Sequence, residues 1–161
     1  MSTLRLTFSA SQILIALLTA GLAGCASPRE PTPAHTQPLT ETRWVLTEVL
    51  GRQVETPADG RLPDLRFDQA DARVGGYTGC NVLTGPYSLN GDRLEFPTPL
   101  ATTRRACVDT AIARQETDLL EAIERTRRFS LVGDILTFYD DVRAVARFTP
   151  GSALEPGSGA P

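Results

Sequence analysis

The chain has 161 residues, with 16 arginines and no lysine against 19 acidic side chains, and a net charge of −3. That mildly acidic balance leaves no basic footprint for nucleic acid. A single histidine, His35, all but removes histidine catalysis and histidine metal sites from consideration.

The first segment is written for export. MSTLR carries one positive charge, and LTFSASQILIALLTAGLAG then runs without acid or base. Its apolar part is too short for a comfortable span, which needs about 20 predominantly apolar residues. It ends in small residues, as secretory signals do. Leu22-Ala23-Gly24-Cys25 looks like a bacterial lipobox, in which Cys25 would receive a diacylglyceryl thioether after cleavage before it. Residues 1–24 are thus read as a lipoprotein signal and residues 25–40 as a lipidated, proline-rich tether. Such a tether cannot bury enough surface to fold and would hold a domain up to ~45 Å from the bilayer, at about 3.1 Å per residue. Ala26 rather than aspartate after the cysteine leans towards an outer-membrane lipoprotein facing the periplasm. Residues 41–149 are the expected domain and residues 150–161 an expected disordered tail.

Within the domain, Trp44 to Leu50 reads as a strand with Trp44, Leu46 and Leu50 on one face. Leu65 and Phe67 alternate with Arg66 and Asp68 in a second strand, and a third begins near Arg73-Val74. Asn90-Gly91 suits a type I′ turn, both of whose central residues need positive φ. That turn would pair Tyr87 with Leu94 and place Tyr87, Leu89, Leu94 and Phe96 on one face. Asp109 to Arg127 is the one good helix, with Asp109 or Thr110 as its cap and Ile112, Leu119, Leu120 and Ile123 as its apolar stripe. Glu116 interrupts that stripe. A final hairpin sets Leu136 and Phe138 against Val142, Ala144 and Phe148 through a three-residue loop, Tyr139 to Asp141. The fold class is α+β: a curved antiparallel sheet, partly open and barrel-like, covered by one main helix.

Gly79-Cys80-Asn81, then Gly85, Tyr87, Leu94 and Phe96, followed by Leu100-Ala101-Thr102-Thr103, Cys107 and Gln115-Glu116, resembles the META domain of bacterial HslJ-like envelope proteins. The resemblance runs in order from Trp44 to Phe148. Arg104-Arg105-Ala106 departs from it, since the family often has a hydrophobic residue just before the second cysteine. It implies a small β-rich domain, commonly lipid-anchored or periplasmic, in proteins linked to heat shock, antibiotic tolerance and secretion or motility. It implies no catalytic residues.

With Cys25 acylated, Cys80 and Cys107 remain as an even pair in an oxidising compartment, where a disulfide is the expected outcome. A redox couple is the rival reading. It would want CxxC spacing, which is missing, or a nearby cation, which Arg104 and Arg105 would supply. Asn81 and the glycines have a conformational explanation, because Asn tolerates the left-handed region and glycine allows bends; a backbone ligand pocket is the alternative. A carboxylate on an apolar helix face needs hydrogen bonds or an ion partner. For Glu116 the backbone N–H groups of the glycine corner or an arginine would serve, while a general-acid role would need a second convergent carboxylate. Phosphate loops and serine-nucleophile motifs are missing, and no cofactor or metal is implied. The functional expectation is a non-catalytic lipoprotein, membrane-attached through its lipid, that binds an envelope protein partner or client. The alternatives are a small-molecule-binding module, whose cavity Tyr87, Phe96 and Phe138 would line, or an inhibitor of a periplasmic enzyme acting through an exposed loop. Oligomeric state is not legible.

Overall fold

The computed structural model describes residues 38–97 and 99–151. The lipobox cysteine, Cys25, and most of the tether lie outside the described residues. The strands are β1 (Trp44–Val49), β2 (Arg52–Gln53), β3 (Asp64–Asp68), β4 (Arg73–Tyr77), β5 (Val82–Pro86), β6 (Ser88–Asn90), β7 (Arg93–Glu95), β8 (Ala101–Thr102), β9 (Arg128–Val132), β10 (Ile135–Tyr139) and β11 (Ala144–Pro150), with helix α1 (Thr110–Arg125) between β8 and β9. All pairings are antiparallel, in the order β6-β7-β9-β10-β11-β1-β3-β4-β5-β8, with β2 beside β1. The sheet curls strongly into a half-barrel and α1 packs on it, so the fold is α+β. No helix among the described residues is long and apolar enough to cross a membrane.

The concave side is filled. Trp44, Leu46, Leu65, Leu83, Leu94, Leu136, Phe138 and Phe148 are buried there with Leu119 and Ile123 of the helix. Phe67 meets Tyr87 edge-on at 5.1 Å between centroids, and Phe138 stands 5.8 Å from Phe96 and 4.8 Å from Phe148. Offset and edge-on rings at these separations add to what area burial contributes. Leu39, in the segment read as tether, is buried too and its carbonyl accepts from Trp44 Nε1 at 2.8 Å.

Four local readings need correction. First, β1 does not keep strict alternation: a bulge between Leu46 and Glu48 moves Val49 inward, because an extra residue in one strand shifts the parity of the residues beyond it. Leu50 is therefore not a strand residue. With Gly51 it forms the turn between β1 and β2, both residues at positive φ, +46° and +78°. Second, the β6–β7 turn lies one residue further on, at Gly91-Asp92, since Asn90 pairs with Arg93 and Leu89 with Leu94. Gly91 alone has positive φ, +63°, as the first central position of a II′ turn requires. The register moves by two, so the same side chains still share a face, although Leu89 is half exposed at the open end.

Third, the β10–β11 connection is longer than three residues and includes a bulge at Phe138/Tyr139. Leu136 faces Phe148 and Phe138 faces Ala146, while Val142 points to solvent. Asp140 builds this turn, its Oδ1 accepting from the N–H groups of Val142 at 2.8 Å and Arg143 at 2.7 Å, and its Oδ2 from Arg125 at 2.6 Å. The Arg143 N–H first, then the Arg125 guanidinium, hold this carboxyl well below the usual carboxylate range. A depressed folded-state pKa contributes stability above the unfolded value, near 3.9, that is lost as pH falls below it. Asp140→Asn should therefore lower the melting temperature at pH 7, and the gap to wild type should close at strongly acidic pH. A gap that stays constant across a pH-melting series would count against this role.

Fourth, the helix stops at Arg125 rather than Arg127. Thr126 closes it, its N–H reaching Ile123 O at 3.1 Å and its hydroxyl Ala122 O at 2.7 Å. The next residues enter β9, where Phe129 and Leu131 face Phe138 and Leu136. At the other end Asp109 is the cap, accepting from Ala111 N at 2.8 Å.

Candidate functional site

The site grows out of the end of β4. After Tyr77 the chain must turn sharply under the helix, and Gly79 does so with φ +120°. The backbone angle calls for glycine, and a Cβ there would also crowd Ile112 Cγ2 of the helix at 3.1 Å. Within β4 itself, a Cβ at Gly76 would stand 2.0 Å from the Asp64 carbonyl oxygen, which is backbone and cannot swing away. Gly76→Ala should cost about 2 kcal/mol by overpacking, read from denaturant titration; an unchanged midpoint would show that β3 and β4 can separate there. Gly85, on β5, leaves room for Leu100, whose Cδ2 would lie 2.4 Å from a Cβ. Tyr77 bends back over the corner and donates its hydroxyl to the Gly79 carbonyl. Burial, and next the Asp59 carboxylate, push that phenol above its ordinary value and keep it a donor. The Arg61 guanidinium lies 3.9 Å above its ring centre.

Glu116 reaches down from α1 into this corner. Its Oε2 accepts from the N–H groups of Cys80 at 3.1 Å and Asn81 at 3.0 Å and from the Thr78 hydroxyl, while Oε1 accepts from Asn81 Nδ2 at 2.7 Å. The helix face that lost an apolar residue thus gained an anchor for a bend whose N–H groups have no strand to pair with. Of the two partners considered for Glu116, the backbone donors are the ones it meets, and no arginine among the described residues pairs with it.

Asn81 is buried and its φ is not positive, so tolerance of the left-handed region does not explain it. Its side chain does. Asn81 Oδ1 accepts from the Arg105 N–H at 2.7 Å and the Thr103 hydroxyl at 2.8 Å, and Nδ2 donates to the Arg105 carbonyl at 3.3 Å. A single amide therefore acts as a piece of strand, pairing with both main-chain groups of one residue. Gln115 repeats the device on the other side of α1, holding the N–H of Glu55 at 2.7 Å and its carbonyl at 3.2 Å. Sequence reading missed both clamps; the adjacent Gln115-Glu116 on an otherwise apolar face was the available signal.

Cys80 and Cys107 are joined, 5.6 Å apart between Cα atoms. With Glu116 they form a cluster whose ligand atoms lie within 4.8 Å of one another. The sulfurs are spent on each other and the carboxylate on its donors, so the set does not fit a metal. Glu116 is also of the wrong sign to favour a thiolate, which weakens the redox reading. Arg104 and Arg105 form no ion pair among the described residues. Thr102 pairs with Leu83 at the short edge strand β8. Tyr87 stands away from the corner, its N–H on Ala72 O at 3.0 Å and its hydroxyl on Asp68 O at 3.3 Å. From β8 onward the residues Thr103 to Ala106, and Val108, are exposed, Val108 almost completely at 99%.

A half-barrel with one helix, a carboxylate-held corner and a disulfide to the following loop together define a small α+β domain. The chain belongs to the META domain family, whose model matches residues 37–152, and META domains are not a known enzyme family. Two solved NMR structures share the fold. One, from Burkholderia xenovorans, is 23% identical with a TM-score of 0.57, covering 78% of this chain and 99% of that one. The other is 22% identical with a TM-score of 0.55, covering 69% of this chain and 91% of that one. No curated protein matches the chain significantly.

Proposed function

We propose that this is a non-catalytic envelope lipoprotein, anchored through Cys25 to the outer membrane and facing the periplasm, that acts by binding a protein partner during stress or antibiotic challenge. The packed aromatic interior carries this reading. The space between Tyr87, Phe96 and Phe138, where a ligand module would hold its cargo, is taken by the rings themselves, with Phe67 and Phe138 at 6.3 Å. One element the domain presents outward is the Thr103–Val108 segment, held on a corner whose polar groups are already paired. A rigid, pre-ordered segment loses little entropy on binding and is the kind of element protein partners recognise.

Cross-linking of the lipidated chain in intact cells, followed by mass spectrometry, tests this. Capture of a defined periplasmic or outer-membrane protein, lost when Thr103–Val108 is replaced by a glycine-serine segment, is the expected result. An apolar small molecule that copurifies with the chain, and no captured protein, would overturn it.

A further inference from the structure

The exposed segment is held unevenly. Thr103 is tied by its N–H to the Val82 carbonyl at 3.0 Å and by Oγ1 to Asn81 at 2.8 Å. Arg105 is tied through both main-chain groups to the Asn81 amide. Cys107 is tied covalently to Cys80. Between these clamps stands Arg104. Its N–H and C=O make no hydrogen bond among the described residues, and its guanidinium has no ion partner there.

We propose that Thr103–Val108 is a substrate mimic that blocks an arginine-directed serine peptidase, with Arg104 in the specificity pocket and Arg104–Arg105 as the bond presented. This names the partner class of the reading above and rests on it.

Such a peptidase asks three things of the residue before the scissile bond. It wants free main-chain groups to pair with, a carbonyl to place in its oxyanion hole, and, for this specificity, a guanidinium to meet an acidic pocket. Arg104 supplies all three, while the residues on either side are fixed. An ordinary substrate must be ordered on binding; here the ordering is already done, as in the pre-organised inhibitor complexes that bind with little backbone change. Val82, half exposed beside the segment, and Val108, almost fully exposed at its end, add an apolar rim.

The clamps also set the fate of the bond once it is attacked. The peptidase serine oxygen adds to the Arg104 carbonyl carbon, giving its proton to the catalytic histidine. That proton passes to the Arg105 nitrogen as the C–N bond breaks, leaving an acyl-enzyme and a free amine. In a flexible peptide the amine would diffuse away and water would hydrolyse the ester. Here Asn81 holds the Arg105 carbonyl, and the disulfide holds Cys107 two residues on, so the amine stays beside the ester. Its effective concentration is high, and it re-attacks, returning the proton by the same route and restoring the peptide bond.

The full chain is mixed with trypsin as the probe peptidase and chymotrypsin as control, and turnover of a small arginine substrate is followed with mass spectrometry of the chain in parallel. Competitive inhibition of trypsin alone is expected, with Arg104–Arg105 either intact or settling at a constant intact-to-cut ratio. Arg104→Ala should weaken inhibition by roughly 100-fold, the loss of a central anchor, and Arg104→Phe should transfer it to chymotrypsin. Arg66→Ala, on the exposed outer face of β3, should change nothing. Asn81→Ser should turn the inhibitor into a substrate cut to completion between 104 and 105. Should that variant unfold, the Arg104 pair, which removes no hydrogen bond or ion pair found among the described residues, still decides the matter. Cleavage of the native chain at Arg104–Arg105 to completion, or undiminished trypsin activity at stoichiometric chain, would overturn the proposal. Capture in cells of a partner that is not a peptidase, together with uninhibited trypsin, would overturn it while leaving the partner-binding reading intact; capture of no protein would remove both.

Discussion

Glu116→Gln is expected to lower the unfolding free energy by about 3 kcal/mol, and the melting temperature by roughly 10 °C. All the groups facing this carboxylate are donors: the Cys80 and Asn81 N–H groups and the Thr78 hydroxyl on one oxygen, the Asn81 amide on the other. A glutamine keeps only one acceptor. With its oxygen towards the backbone, its NH2 confronts the Asn81 NH2, donor against donor. Turned the other way, it confronts the N–H groups of Asn81, which keeps Thr78 Oγ1 at 3.2 Å, and of Cys80, which has no other partner among the described residues. Buried donors left unpaired cost more than a hydrogen bond contributes when made. Asn81 can relieve the first arrangement by flipping its own amide, but it then presents NH2 to the Arg105 N–H and drops that clamp. The variant should therefore exchange the Arg105 amide hydrogen faster as well as melt earlier. An unchanged melting temperature would remove Glu116 from the framework of the corner.

The second large effect is loss of the disulfide. Cys80 and Cys107 are separated by 27 residues, and closing a loop of about that length contributes roughly 3–4 kcal/mol, chiefly by restricting the unfolded chain. Against a domain stability of about 5–15 kcal/mol, that is a large share. Changing both cysteines to serine, or reducing them, should lower the denaturation midpoint accordingly. It should also expose the Thr103–Val108 segment to cutting, because Cys107 is its covalent tie next to the helix cap at Asp109. Equal midpoints with and without reductant would show that the native corner is indifferent to the bond. Both variants act on one structure from opposite sides: Glu116 fixes where the bend lies, and the disulfide fixes what hangs from it.

The legible parts of the fold were those with local chemistry. Leu65 and Phe67 against Arg66 and Asp68 announced an inward and an outward face, and β3 buries the first pair and exposes the second. Asp109 announced the start of α1 because a capping carboxylate interacts only with the next few N–H groups. Turn position was less legible. Asn-Gly at 90–91 fits a two-residue turn, yet the extra pair Asn90–Arg93 moves the turn along by one residue. The left-handed pair appears instead at Leu50-Gly51, where β1 must fold back after its bulge. Strand β9 was passed over although Phe129 and Leu131 alternate with polar neighbours. Its signal is short, and the helix-forming charges before it masked the boundary.

For the candidate site the division is similar. Composition and pattern alone determined a histidine-poor chain, a β-rich domain under one helix, and a carboxylate that had to find partners on an apolar face. Only the tertiary structure decided which partners those are, that Asn81 is there for its amide rather than its backbone, and that Arg104 stands between two held neighbours. The physical reason is range. Capping and alternation act within a few residues and are written locally, whereas Glu116 meets the corner across 35 or more residues and Asn81 meets Arg105 across 24. Hydrogen bonds of that span are specified only when the sheet has curled and the helix has docked.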